Sequence, residues 1–131
     1  MSKTIFSRII DGEIPSYKIY ENPYVYAFLD IHPVRPGHVL IVPRTPVAYF
    51  ADLEEPFYSE VFQAAKYLAP LLDAAMGCER VGMIVAGLDV PHVHIHLIPL
   101  RDAADLDLSQ TMSVTPEELV AVQKTILTYI N

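Results

Sequence analysis

In Pro91-His92-Val93-His94-Ile95-His96-Leu97-Ile98-Pro99, apolar and imidazole side chains alternate without a break between two prolines. The alternation predicts a strand over residues 93–98, because successive side chains of a strand face opposite ways. Val93, Ile95 and Leu97 then enter one face while His92, His94 and His96 line the other, three imidazoles over an apolar underlayer. A lone histidine in such a place reads as a hydrogen-bonded side chain on a half-exposed face. Three of the chain's five histidines in strict alternation reduce β-propensity and core area without a structural return, and they call for a chemical explanation.

Working outward, residues 80–86 form a second apolar run, separated from the first by Gly87-Leu88-Asp89 and close enough to pair with it antiparallel. Residues 17–20 and 24–29 are rich in Tyr, Val, Ile and Phe and read as strands joined at Glu21-Asn22-Pro23. Pro33, Pro36 and Gly37 mark a loop that delivers the chain into a short strand over 38–42, stopped by Pro43. Residues 5–10 suit a short helix broken by Asp11-Gly12. Residues 54–76 carry Val61, Ala65, Leu68 and Leu72 at helical spacing, with Asp52 and Glu55 as a capping box ahead of Pro56. Pro70 inside that helix predicts a kink or late break. Residues 101–114 read as a surface loop. Thr115-Pro116-Glu117-Glu118 then opens a C-terminal helix over about 115–130 that buries Leu119, Val122, Ile126 and Ile130. The predicted fold class is α+β, with about five mostly antiparallel strands and two main helices laid on the sheet.

At 131 residues the chain has the length of one domain, expected to span residues 1–131 with no repeat or linker. Its 52% apolar and 19% charged residues are a globular balance. The net charge of −7 repels phosphate backbones and argues against nucleic acid as a partner. A small anionic ligand is still compatible, because backbone N–H groups and imidazoles in a local pocket outweigh a distant acidic surface. The single cysteine, Cys78, excludes an internal disulfide and a multi-cysteine zinc knuckle, and suits a reducing compartment. The first residues reach a charge before any apolar run, and no stretch of about 18 apolar residues follows. A soluble, unexported, cytoplasmic protein without membrane contact is expected.

Two chemistries account for a histidine triplet. A His-x-His pair on a strand is a common part of metal sites, and His38 would supply a further nitrogen. No carboxylate follows three or four residues beyond the last histidine, where a barrel-type metal site often has one. The other chemistry is nucleophilic attack on phosphorus by an imidazole whose Nδ1 proton is held by a carbonyl, with neighbouring histidines donating protons to phosphate or leaving-group oxygens.

The sequence resembles the histidine triad (HIT) family of nucleotide hydrolases and transferases. Besides the triplet, Ile5-Phe6 with Gly12-Glu13-Ile14-Pro15 is similar to the family's opening segment, and Ala27-Phe28-Leu29-Asp30-Ile31 to its ribose-binding strand. Pro36-Gly37-His38 through Val42-Pro43 is similar to the strand that follows, so the resemblance runs from about residue 4 to residue 100. It implies a HIT-like fold in a homodimer whose two sheets join. It also implies that Asp30 binds the ribose hydroxyls and that Ile5, Phe6, Ile9, Phe28 and Ile31 clamp a purine base. His94 would be the nucleophile, oriented by the His92 carbonyl. His96 would contact the phosphate or protonate the leaving group, and His38 and His92 would complete the imidazole network. Backbone N–H groups near Asp89 and Val90 would hold the phosphoryl oxygens. Ile5, Ile9, Phe28 and Ile31 read equally well as core, and Asp30 as the acceptor of an Asx turn; His32 is expected on the surface.

The departures lie in the phosphate turn, Ala86-Gly87-Leu88-Asp89-Val90-Pro91. Leu88 stands where many relatives carry an amide, and an inward Asp89 would repel polyphosphates. Ser7 and Ile10 stand where some relatives carry zinc-binding cysteines, so that structural zinc is not expected. The activity implied is hydrolysis of a phosphoramidate, acyl adenylate or dinucleoside polyphosphate at the α-phosphorus, through a nucleotidyl-histidine, releasing a nucleoside monophosphate. No cofactor is required, and a divalent metal is compatible as an aid to polyphosphate binding. A metal-binding protein built on the histidine cluster and a non-catalytic nucleotide-binding regulator are the rival readings.

Overall fold

Thr4 starts the first helix, α1 (Ile5–Ile10), as its N-cap: the threonine side chain accepts the Ser7 N–H, and the Ser7 hydroxyl accepts the Thr4 N–H. The helix stops at Asp11, followed by Gly12 with φ +82°, a left-handed backbone that favours glycine. The computed structural model describes residues 3–130; Met1, Ser2 and Asn131, the ends of the expected 1–131 unit, lie outside them.

Strands β1 (Lys18–Glu21), β2 (Val25–Leu29) and β3 (Val39–Pro43) follow, then α2 (Phe57–Met76), β4 (Arg80–Ile84), β5 (Ile95–Leu100) and α3 (Pro116–Leu127). The five strands form one antiparallel sheet in the order β1-β2-β3-β5-β4, the expected α+β architecture. Asn22 makes the first hairpin, its side-chain oxygen accepting the N–H groups of Tyr24 and Val25.

Alternation along the strands divides the molecule into two layers. Val25, Ala27 and Leu29 of β2, Val39 and Ile41 of β3, and Ile95 and Leu97 of β5 pack against Val61, Ala65, Leu68 and Leu72 of α2 and Leu119 and Ile126 of α3. Each fully buried aliphatic side chain there contributes about 1.5–3 kcal/mol. Tyr26, Phe28, Leu40 and Val42 face the other way, against Phe6 and Ile9 of α1. The helices α2 and α3 thus close one side of the sheet, and the short α1 covers the other.

Three local expectations are corrected. Asp52 ends a 3-10 turn over Phe50–Asp52, and Pro56 caps α2 without a side-chain bond. Glu55 reaches forward instead, accepting from the Ser59 N–H and hydroxyl. Pro70 does not break α2, which runs on to Met76 before the Gly77 cap; Pro70 and Lys66 are both exposed, so the carbonyl that loses its partner is free to hydrate. The last strand begins at Ile95 rather than residue 93. Ile41 pairs with Ile95, and the next position, Pro43, has no N–H with which to extend the ladder to Val93. The Val93 N–H turns to the Val47 carbonyl (2.7 Å) and the His92 N–H to that of Val90 (2.8 Å). His92, Val93 and His94 therefore enter the sheet from a loop. Among the described residues no helix is long and apolar enough to cross a membrane.

Candidate active site

Gly37, at φ +88°, turns the chain so that His38 enters just before β3, while His96 lies on β5 opposite Leu40. The His38 and His96 rings meet on the α1 side of the sheet. The Val34 N–H donates to His38 Nδ1 (3.0 Å), and His38 Nε2 lies 2.9 Å from His96 Nδ1. A backbone N–H can only donate, so His38 Nδ1 is an acceptor and the ring's proton sits on Nε2. That proton is donated to His96 Nδ1, which leaves the His96 proton on its own Nε2. Burial, then the charge of His96, pushes His38 down to about 3; burial, then His94, pushes His96 down to about 4. Both rings are neutral near pH 7, as this chain of single protons requires.

His92 and His94 are fixed by the same logic. His92 Nε2 lies 2.7 Å from the Pro43 carbonyl and must donate to it, so Nδ1 accepts from the Thr4 hydroxyl at 2.7 Å. Burial lowers the His92 pKa and keeps the ring neutral. The His92 carbonyl in turn accepts from His94 Nδ1 (2.8 Å), which leaves the lone pair of His94 on Nε2. That nitrogen faces the Asp89 carboxylate, with Oδ1 at 3.4 Å. His94 is only 2% exposed, and Phe6 packs edge-on against its ring.

A cleft of about 330 Å³ opens over these groups. Ile5, Phe6, Ile9, Phe28, Asp30, Ile31, Asp89, Val90, His94 and His96 all line it; His38 and His92 stand behind it. Ile5 and Ile31 are 49% and 54% exposed, whereas Phe6, Ile9 and Phe28 are buried. Phe6, Ile9 and Phe28 therefore form the floor of the cleft, and Ile5 and Ile31 its rim. Asp30 Oδ1 accepts the His32 N–H (2.8 Å), the Asx turn. Its Oδ2 is 3.6 Å from His38 Nε2, too long for a hydrogen bond and opposite a neutral ring, so the two do not form an ion pair. Burial raises the Asp30 pKa. His32 is exposed, and Leu88 points away at 95% exposure.

Asp30, His38 and His96 bring three ligand atoms within 4.8 Å of one another. In the hydrogen-bonded pattern His38 Nε2 carries the ring proton and His96 Nδ1 accepts it, so a cation seated among the three would displace that proton. Sequence reasoning did not assign the groups that impose this pattern, namely the Thr4 hydroxyl, the Val34 N–H and the Pro43 carbonyl. Only Thr4 left a trace, a hydroxyl three residues ahead of Ser7 at a helix start.

The family model described as HIT domain matches residues 11–103. The chain is 45% identical over 100 residues to adenosine 5′-monophosphoramidase HNT1 of Saccharomyces cerevisiae; the match covers 75% of this chain, which spans 63% of the length of that relative. It is 38% identical over 109 residues to the protein of the same name from Candida albicans, covering 76% of this chain and 72% of the relative. The crystal structure of a Hit-like protein involved in cell-cycle regulation from Bartonella henselae superposes with a TM-score of 0.86 at 26% identity, over 98% of this chain and 96% of that one.

Proposed function

The chain belongs to the HIT domain family, and from that premise we propose that it is a nucleotide hydrolase that cleaves a nucleoside 5′-phosphate derivative at the α-phosphorus. The observation that carries the proposal is the hydrogen bond from His94 Nδ1 to the His92 carbonyl at 2.8 Å, which commits the Nε2 lone pair to the cleft. A purine nucleoside lies between Ile5 and Ile31, its ribose hydroxyls donating to Asp30. His94 Nε2 attacks phosphorus in line, the Nε2–P bond forming as the bond to the substituent breaks with its electron pair. The His96 Nε2–H donates to a phosphoryl oxygen or to the departing atom of the leaving group, and the Val90 N–H adds a second donor. Water then attacks the nucleotidyl-histidine and gives a proton back to His96 Nε2, releasing a nucleoside monophosphate and returning the electron pair to His94 Nε2. His38 and His92 are positioning residues, each holding the tautomer of its neighbour.

This route needs no metal, and any divalent ion enters with the phosphates of the substrate. The active unit is one HIT domain in a homodimer. The β4 edge supports pairing of two sheets, being the outer strand with Met83 exposed, whereas α3 packs beside β1 at the opposite edge.

The test is incubation with adenosine phosphoramidate, an acyl adenylate and a dinucleoside polyphosphate, with mass-spectrometric trapping of the intermediate. His94→Ala is expected to lower kcat by at least ~10³-fold and to abolish the adduct. Wild-type turnover by that variant refutes the mechanism. Binding of AMP with no turnover by the wild-type protein identifies a regulator, and stoichiometric zinc or iron in the purified protein identifies the metal-binding rival.

A further inference from the structure

Asp89 is placed where a carboxylate is unexpected for a phosphate site. Its Oδ1 accepts the Val90 N–H (3.0 Å) and stands 3.4 Å from His94 Nε2. A carboxylate oxygen thus holds a backbone donor and faces a nucleophile, the two partners a phosphoryl oxygen would take. The side chain is 78% exposed, so rotation about its own bonds can move it aside, but it stays beside whatever displaces it.

A second cleft, of about 510 Å³, adjoins the first and shares Ile5, Asp89 and Val90 with it. Asp89 therefore stands on the boundary between the two. Among the described residues the one cation lining the second cleft is Lys3, and its amine is 2.8 Å from both Asp11 and Glu13. The charge of Lys3 is thus already matched by two carboxylates, and Asp89 adds a third acidic group at the wall of the second cleft, which among the described residues offers no unpaired cation to a phosphate chain. Asp30 adds a further carboxylate to the first cleft.

We propose that Asp89 is a specificity determinant which directs the substituent on phosphorus into this second cleft and selects amine substituents over anionic ones. This rests on the hydrolase reading above and narrows its substrates to nucleoside phosphoramidates. A phosphoramidate nitrogen carries an N–H that donates to the Asp89 carboxylate, and the nitrogen becomes more positive as the P–N bond breaks and it takes up the proton of His96 Nε2. A bridging anhydride oxygen has no hydrogen to donate, and the phosphates behind it bring like charge to within a few ångströms of the carboxylate. At an exposed position that repulsion is screened, and it is worth about three- to tenfold per added charge.

The experiment compares kcat/KM for adenosine phosphoramidate and diadenosine tetraphosphate in the wild-type protein, Asp89→Asn and Asp89→Ala, and measures binding of AMP and adenosine to the same three. Both variants are expected to lower the phosphoramidate-to-tetraphosphate ratio by at least about threefold. They are also expected to tighten AMP binding by a similar factor while adenosine binding stays unchanged. Ratios within twofold of wild type in both assays overturn the role of Asp89 even if turnover and the His94 adduct are intact. If the wild-type protein turns over neither substrate, the hydrolase reading fails, and the AMP-to-adenosine ratio alone then decides whether Asp89 screens the phosphate seat.

Discussion

Replacing Thr4 by valine keeps the shape of the side chain and removes its hydroxyl, which serves two ends. It accepts the Ser7 N–H (3.0 Å) as the cap of α1, and it donates to Nδ1 of the fully buried His92 (2.7 Å). Loss of the cap costs about 0.5–2 kcal/mol. A buried imidazole nitrogen left without its donor costs roughly 1–3 kcal/mol more. The expected destabilisation is therefore about 1.5–5 kcal/mol, out of the ~5–15 kcal/mol typical of a folded domain. Equilibrium urea unfolding at pH 7.5 measures it as a lower midpoint at constant slope. Thr4→Ser retains both bonds and should lie within about 1 kcal/mol of wild type. With His92→Phe in the background the acceptor is gone, and Thr4→Val should cost only the cap, about 1 kcal/mol. A Thr4→Val protein as stable as wild type, or equal losses in the two backgrounds, would refute the proposed coupling of α1 to the triad.

Acid should destabilise the fold through the buried imidazoles. His38 and His96 titrate at about 3 and about 4 when folded and at 6.5 ordinarily, so the unfolded chain binds more protons between those values. Their contribution is complete above about pH 6.5 and is lost as the pH falls toward 4 and then 3, with a slope up to about 1.4 kcal/mol per pH unit for each ring. Asp30, whose pKa is raised by burial, works in the opposite sense and recovers part of the loss at the acid end. A urea midpoint that does not move between pH 7.5 and 5 would contradict the neutral-imidazole chain. At the sugar end, Asp30→Ala should weaken binding of AMP by roughly 1.5–3 kcal/mol while leaving its 2′,3′-dideoxy analogue almost unaffected. Calorimetry checks this, and equal losses for both ligands would reduce Asp30 to its Asx turn.

Much of the fold was legible in local patterns. Alternation marked the last strand and apolar, β-branched and aromatic runs the others, while helical spacing with Thr115, Pro116 and Glu118 placed α3, because burial imposes such patterns directly on the chain. The triplet His92, His94 and His96 was legible because residue types costly to a core stood at strict alternation, whereas Asp30 entered only through the resemblance to the HIT family. What only the tertiary structure decided were the contacts between residues distant in the chain. Thr4 finds His92 across 88 positions, and His38 finds His96 across 58. Those contacts set the tautomers, since an imidazole takes its proton pattern from whichever donor or acceptor the fold brings to it. The start of the last strand was likewise settled by Pro43, whose missing N–H matters only once β3 lies opposite residue 93. Whether Asp89 turned inward or outward rested on one exposed rotamer, and no periodicity in the sequence encodes that choice.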